Sequence, residues 1–172
     1  EFRRVLFRSR RLPVGADVQP DGSTHFRVWA PDTDAVSLLI EDSSGGREQR
    51  LSREPGGYFS VDAHAPAGTR YRYRVNGELL ADPASRYQPE GVFRPSEVVD
   101  PSGFQWSDQG WRGLAFPGQL LYEMHVGTFT PEGTWLSAAG LLESLVEIGI
   151  TAVEIMPVAE FTGTFGWGYD GV

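Results

Sequence analysis

A chain of 172 residues that is 40% hydrophobic and 22% charged has a globular balance, away from disordered compositions. Its formal net charge of −8 argues against non-specific binding to nucleic acid, and no apolar run nears the ~20 residues of a membrane helix. The absence of cysteine excludes a disulfide framework and a thiolate-ligated metal, in agreement with a cytoplasmic protein.

The first eleven residues, EFRRVLFRSRR, carry five of the fifteen arginines and differ in character from the rest of the chain. Their apolar run is too short for a signal peptide, and no small-residue cleavage site comes after it. An arginine-rich transit peptide would be short. EFRRVLFRS is what a common sequencing-adaptor oligonucleotide gives when translated in an open frame, so residues 1–11 are read as an artefact and set aside.

Residues 12–100 read as short strands separated by turn signals, the pattern of a small β-sandwich. Pro20-Asp21-Gly22 is a turn, and His25 to Trp29 alternates, with Phe26 and Val28 on one face. Val36 to Ile40 is a second strand, ended by Ser43-Ser44-Gly45-Gly46, and Tyr58 to Val61 is another, after Pro55-Gly56-Gly57. The clearest element is Thr69 to Leu80. There Tyr71, Tyr73 and Val75 share one face and Arg70, Arg72 and Arg74 the other, while Asn76-Gly77 is a strong type I′ hairpin signal. The tyrosines are read as core and the arginines as a solvated face. Trp29 and Trp135 are each either a sugar platform or packing.

From Pro83 to Gly118 prolines and glycines thicken and periodicity is lost. Residues 101–118 are read as a connector, with the domain cut between residues 95 and 115 and with Trp106 and Trp111 anchoring the segment.

Residues 119–172 begin with an apolar strand, Leu120 to Val126, broken by Gly127. Ala138, Leu141, Leu142, Leu145 and Ile148 then fall on one helical face, and Gly149 suits a helix C-terminus. Ile150 to Met156 is apolar at nearly every position, as in a strand of a covered parallel sheet, with Pro157 just past it. Strand, helix, strand with short connectors is a βαβ unit. The next loop, Phe161 to Gly171, sets large aromatics among glycines beside the carboxylate of Asp170. In a parallel α/β protein the C-terminal strand ends carry the chemistry, and such a loop fits stacking on flat apolar ligand faces. His125 has no second histidine at metal spacing, so it is read as a histidine satisfied by hydrogen bonds rather than as a metal ligand. Glu123 and Glu154, on the two strands, are either structural or beside the site.

YEMHVGTFTPEGT, TAVEIMPVAEF and WGYDGV resemble the first two barrel strands of the α-amylase superfamily of glycoside hydrolases. Together with DPASRYQPEGVFRPSEVVDP, Asp82 to Pro101, they resemble more narrowly the malto-oligosyltrehalose trehalohydrolases, over Leu12 to Val172. The WGYD portion alone is shared with glycogen branching enzymes. The resemblance implies a multidomain fold: an immunoglobulin-like, glycogen-binding-module-like β-sandwich followed by the first βαβ unit of a truncated (β/α)8 TIM barrel, residues 119–172.

It implies a retaining glycosidase that cleaves the α-1,4 bond next to the terminal trehalose of maltooligosyltrehalose, needing no cofactor and no metal. Its partners would be the α-glucan substrate and, in trehalose synthesis, a maltooligosyltrehalose synthase upstream, with neither nucleic acid nor membrane. Tyr169 is implied as the platform for the glucose ring at the cleaved bond, with Asp170 its polar neighbour and Trp167 extending the platform or packing the loop. The aspartate nucleophile, glutamate acid and third carboxylate are implied beyond Val172, so catalytic residues are assigned to none of these positions and the polypeptide itself is expected to be inactive. A branching enzyme and a stand-alone α-glucan-binding module are the alternatives, the latter disfavoured because the chain runs on past the sandwich.

Overall fold

The structure, a computed structural model, describes residues 12–41 and 46–169, so the readings of residues 1–11, Ser43 to Gly45, Asp170 and Gly171 fall outside it. The described residues through Phe104 form one compact unit and those from Gln105 onward another.

The first unit is built from β1 (Gly15–Val18), β2 (Thr24–Trp29), β3 (Val36–Glu41), β4 (Arg47–Arg50), β5 (Ser52–Arg53), β6 (Tyr58–Ala63), β7 (Arg70–Val75), β8 (Glu78–Leu80) and β9 (Ser96–Glu97). One sheet runs β1-β2-β6-β5 and the other β4-β3-β7-β8, with β9 also paired to β7; every pairing is antiparallel. The period-2 alternation does the sorting. Phe26 and Val28 of β2 and Val36, Leu38 and Ile40 of β3 turn inward, as do Tyr71 and Tyr73 of β7, into one core closed by Leu51, Phe59, Ala63 and Val98. Across it the Phe26 ring meets Tyr71 edge-on at 4.9 Å between centroids. Each such buried side chain contributes about 1.5–3 kcal/mol of transfer free energy.

Asn76 at φ 50° and Gly77 at φ 89° make the expected turn, with Val75 opposite Glu78. A type I′ turn needs positive φ at both central residues, which asparagine and glycine tolerate best. The arginine face is paired across strands rather than merely solvated. Arg72 meets Glu41 at 2.6 Å, Arg70 meets Glu97 at 3.0 Å and Arg74 meets Glu48 at 3.1 Å. Partly exposed pairs of this kind are worth at most about 1 kcal/mol each.

The irregular segment after β8 is held to the sandwich by buried polar side chains. The Asp82 carboxylate accepts from the Tyr71 hydroxyl at 2.7 Å and from the Ala84 N–H at 2.8 Å, and the Asp82 N–H donates to Ser96 Oγ at 3.0 Å. Burial first, and then the neighbouring Asp82 charge, push the Tyr71 phenol well above its usual range. It therefore stays a donor. The Arg86 guanidinium donates to the Ala16 carbonyl at 2.9 Å and lies 3.6 Å from Asp17 Oδ1. Gln88 Nε2 donates to the carbonyls of Val92 and Arg94 at 3.3 and 3.2 Å. Proline and glycine remove regular pairing from this stretch, and side-chain hydrogen bonds replace it.

In the second unit β10 (Leu121–Met124) and β11 (Ala152–Ile155) pair in parallel, Leu121 opposite Ala152 and Met124 opposite Ile155. Both strands are shorter than the apolar runs suggest. At the start, Thr151 Oγ1 accepts the Leu120 N–H at 2.9 Å; at the end, the chain turns into the one-turn helix α1 (Val126–Phe129). The expected single helix is two, α2 (Trp135–Gly140) and α3 (Leu142–Glu147), joined at Leu141 with ψ near 0°. Gly140, a poor helix former, sits at the break. The start of α2 is fixed by a capping box, Thr134 Oγ1 accepting from the Ser137 N–H while Ser137 Oγ accepts from the Thr134 N–H. Of the five apolar residues expected on one face only Ala138 and Leu145 are buried, and Ile148 is 71% exposed, because two strands offer a narrow surface to pack against.

Trp106 and Trp111, expected to anchor the crossing segment, are 68% and 65% exposed, in a stretch without helix or strand. Among the described residues no helix is long and apolar enough to cross a membrane.

Candidate functional site

Because β10 and β11 run parallel, the loops leaving their C-terminal ends emerge side by side. The Met156 N–H donates to the Met124 carbonyl at 3.0 Å and carries the register to the point where the loops diverge. Between them opens a concavity of about 800 Å³, lined among others by Glu123, His125, Trp135, Phe161, Phe165 and Trp167.

His125, at the end of β10, joins the two loops. Its Nε2 lies 3.0 Å from the Gly166 carbonyl oxygen and its Nδ1 lies 3.1 Å from Thr128 Oγ1. A carbonyl can only accept, so Nε2 carries a proton toward Gly166, while Nδ1 and the Thr128 hydroxyl, which also reaches the His125 carbonyl at 3.4 Å, share a hydrogen bond on the other side of the ring. The expectation of a hydrogen-bond-satisfied histidine thus agrees with what is seen, although its partner lies 41 residues away in the aromatic loop.

The loop itself is shaped by close backbone approaches. A Cβ on Gly166 would stand 2.7 Å from the Phe161 ring, and a Cβ on Gly168 would fall onto the Pro157 carbonyl oxygen. Gly168 also has φ +83°, a region that penalises any Cβ. Its freedom therefore serves the contact with Pro157. Between these two points Trp167 is 71% exposed and lines the concavity, while Tyr169 is 66% exposed and is not among the lining residues. The structure thus gathers Trp167 with His125, Phe161 and Phe165, and leaves Tyr169 at the margin.

Glu123 and Glu154 are register partners and both are exposed, Glu123 lining the concavity. Trp135, also on this concavity, is exposed; Trp29 belongs to the sandwich, where its indole N–H donates to the Gly56 carbonyl at 3.0 Å. Among the described residues no group of three histidine, aspartate or glutamate side chains could hold a metal ion. Sequence reasoning missed the His125–Gly166 link and the Gly168–Pro157 contact, since both depend on two strand ends aligning in space. Chemically the site offers ring faces with a few polar edges, suited to the C–H face of a sugar ring.

Comparison with known proteins bears on both units. Residues 13–91 match the family described as Carbohydrate-binding module 48 (Isoamylase N-terminal domain). Malto-oligosyltrehalose trehalohydrolases from several organisms are 40–44% identical. That of Rhizobium sp. (strain M-11) is 42% identical over 169 residues, covering 93% of this chain and 28% of the relative. A 1,4-alpha-glucan branching enzyme of Xanthomonas oryzae pv. oryzae is 33% identical over 179 residues, covering 91% of this chain and 24% of the enzyme. Among solved structures, an alpha amylase candidate from Salmonella typhimurium superposes with a TM-score of 0.84 at 41% identity, covering 93% of this chain and 27% of that one. The chain spans about a quarter of the length of the curated relatives it matches.

Proposed function

The chain is a homologue of the malto-oligosyltrehalose trehalohydrolases of the α-amylase superfamily, and we propose that the protein it belongs to hydrolyses the α-1,4 bond next to the terminal trehalose of maltooligosyltrehalose. The observation that carries this reading is the aromatic concavity at the C-terminal ends of a parallel strand pair, in a chain this similar to enzymes of that name. On this reading β10, the helices and β11 are the first βαβ unit of a (β/α)8 barrel, and the exposed apolar side chains Leu142, Val146 and Ile148 pack against its further elements.

Hydrolysis with retention uses a carboxylate nucleophile and a carboxylic acid roughly 5–5.5 Å apart. This chain's part is then to bind and orient, with the carboxylate pair supplied by the rest of the barrel. Tyr169 stacks on the pyranose at the cleaved bond, Trp167 extends the apolar face, and Asp170 reads a hydroxyl or holds a neighbouring side chain. The product reading places the enzyme after a maltooligosyltrehalose synthase. The second reading, a branching enzyme, is supported by the 33% identity to one.

Tyr169→Ala in the full-length protein tests the assignment. The expected result is a fall in kcat/KM of at least about tenfold, roughly 1.4 kcal/mol of transition-state binding, with little change in melting temperature. Kinetics near wild type, or a loss matched by unfolding, would return Tyr169 to the scaffold.

A further inference from the structure

We propose that His125 is the positioning residue of the aromatic loop, an inference that rests on the reading that this loop meets the sugar. Its imidazole ties the C-terminal end of β10 to the Gly166 carbonyl, and that carbonyl belongs to the peptide unit leading directly into Trp167. Fixing the plane of this peptide fixes the Cα of Trp167. On the other side of the tryptophan, Gly168 lies against the Pro157 carbonyl. The backbone of Trp167 is therefore held before and after, while its ring stays open to the concavity. A platform ordered in advance loses less conformational freedom when ligand binds, and it presents its face at a set distance from the reacting bond.

The imidazole is itself fixed. Thr128 Oγ1, in the first turn of α1, holds Nδ1 at 3.1 Å, while Nε2 on the opposite side donates to the Gly166 carbonyl. A Cβ on Gly127 would stand 3.0 Å from His125 Cε1, so glycine there leaves the ring its place. A side chain needed only to fill space would not require both ring nitrogens to be matched. The two-sided match points to orientation, the requirement of a platform that must meet a ring face on.

The experiment uses the full-length protein labelled with 5-fluorotryptophan, the Trp167 resonance being assigned by its loss in Trp167→Phe. His125→Phe keeps a ring and removes both hydrogen bonds; His125→Gln keeps an N–H near the position of Nε2. Expected for His125→Phe are a Trp167 fluorine resonance moved toward that of free 5-fluorotryptophan and a kcat/KM on maltooligosyltrehalose lower by about tenfold or more. His125→Gln should restore the resonance and most of the rate, with the two variants melting alike. An unmoved resonance in His125→Phe overturns the inference, as do equal losses in both variants that track a falling melting temperature. A displaced resonance with unchanged kinetics would uphold His125 as the loop's positioner and overturn instead the reading that the loop meets the sugar.

Discussion

Gly168→Ala is expected to lower kcat/KM of the full-length protein by about a hundredfold or more, a larger loss than Tyr169→Ala and equivalent to about 2.7 kcal/mol. Two costs coincide at this position. The backbone sits at φ +83°, where an L-residue is disfavoured by about 1–2 kcal/mol, and the new Cβ would overlap the Pro157 carbonyl oxygen. No rotamer relieves an overlap between a Cβ and a backbone atom. The loop must move, and with it Trp167 on one side and Tyr169 on the other. The sandwich has its own core and should be untouched, so its melting transition should hold while activity is lost. Kinetics of the variant beside its thermal profile check this; activity within a few-fold of wild type would mean the loop is not set by this contact.

Asp82→Ala should destabilise the sandwich by about 3 kcal/mol or more, a large part of the roughly 5–15 kcal/mol that holds a typical domain. Asp82 is fully buried, and its loss strips the acceptor from the buried Tyr71 hydroxyl and from the Ala84 N–H. Buried donors left without acceptors cost about 1–3 kcal/mol each, and the deleted carboxylate leaves a void beside them. Tyr71→Phe should cost less, because it removes one donor and keeps the ring between Phe26 and Tyr73. Urea unfolding of the isolated residues 12–104 gives both values, and a loss below about 1 kcal/mol for Asp82→Ala would show that water or other groups take over its role.

How far the sequence reveals this architecture depends on how local the signal is. The β7–β8 hairpin was legible because alternation and Asn76-Gly77 are adjacent signals for the same turn. Tyr71 and Tyr73 read as core for the same reason, and they are core. β1, with the sequence Gly-Ala-Asp-Val, carries no alternation, and it becomes a strand only through pairing with β2. β4, Arg-Glu-Gln-Arg, is polar at every position and rests on β3. The arginine face read as solvated, since its partners Glu41, Glu48 and Glu97 come from three other strands. For the site, the apolar runs and the aromatic loop marked the place. The geometry within it was hidden, because His125 and Gly166 meet only after two parallel strands align their ends. The break at Gly140 and Leu141 was likewise masked by a helical period that continues across it.

The assignment stands most directly on the product. The full-length protein, incubated separately with maltooligosyltrehalose and with amylose, should release free trehalose from the first and introduce no α-1,6 branches into the second. New branches in amylose, with no trehalose from maltooligosyltrehalose, would contradict the account and identify a branching enzyme.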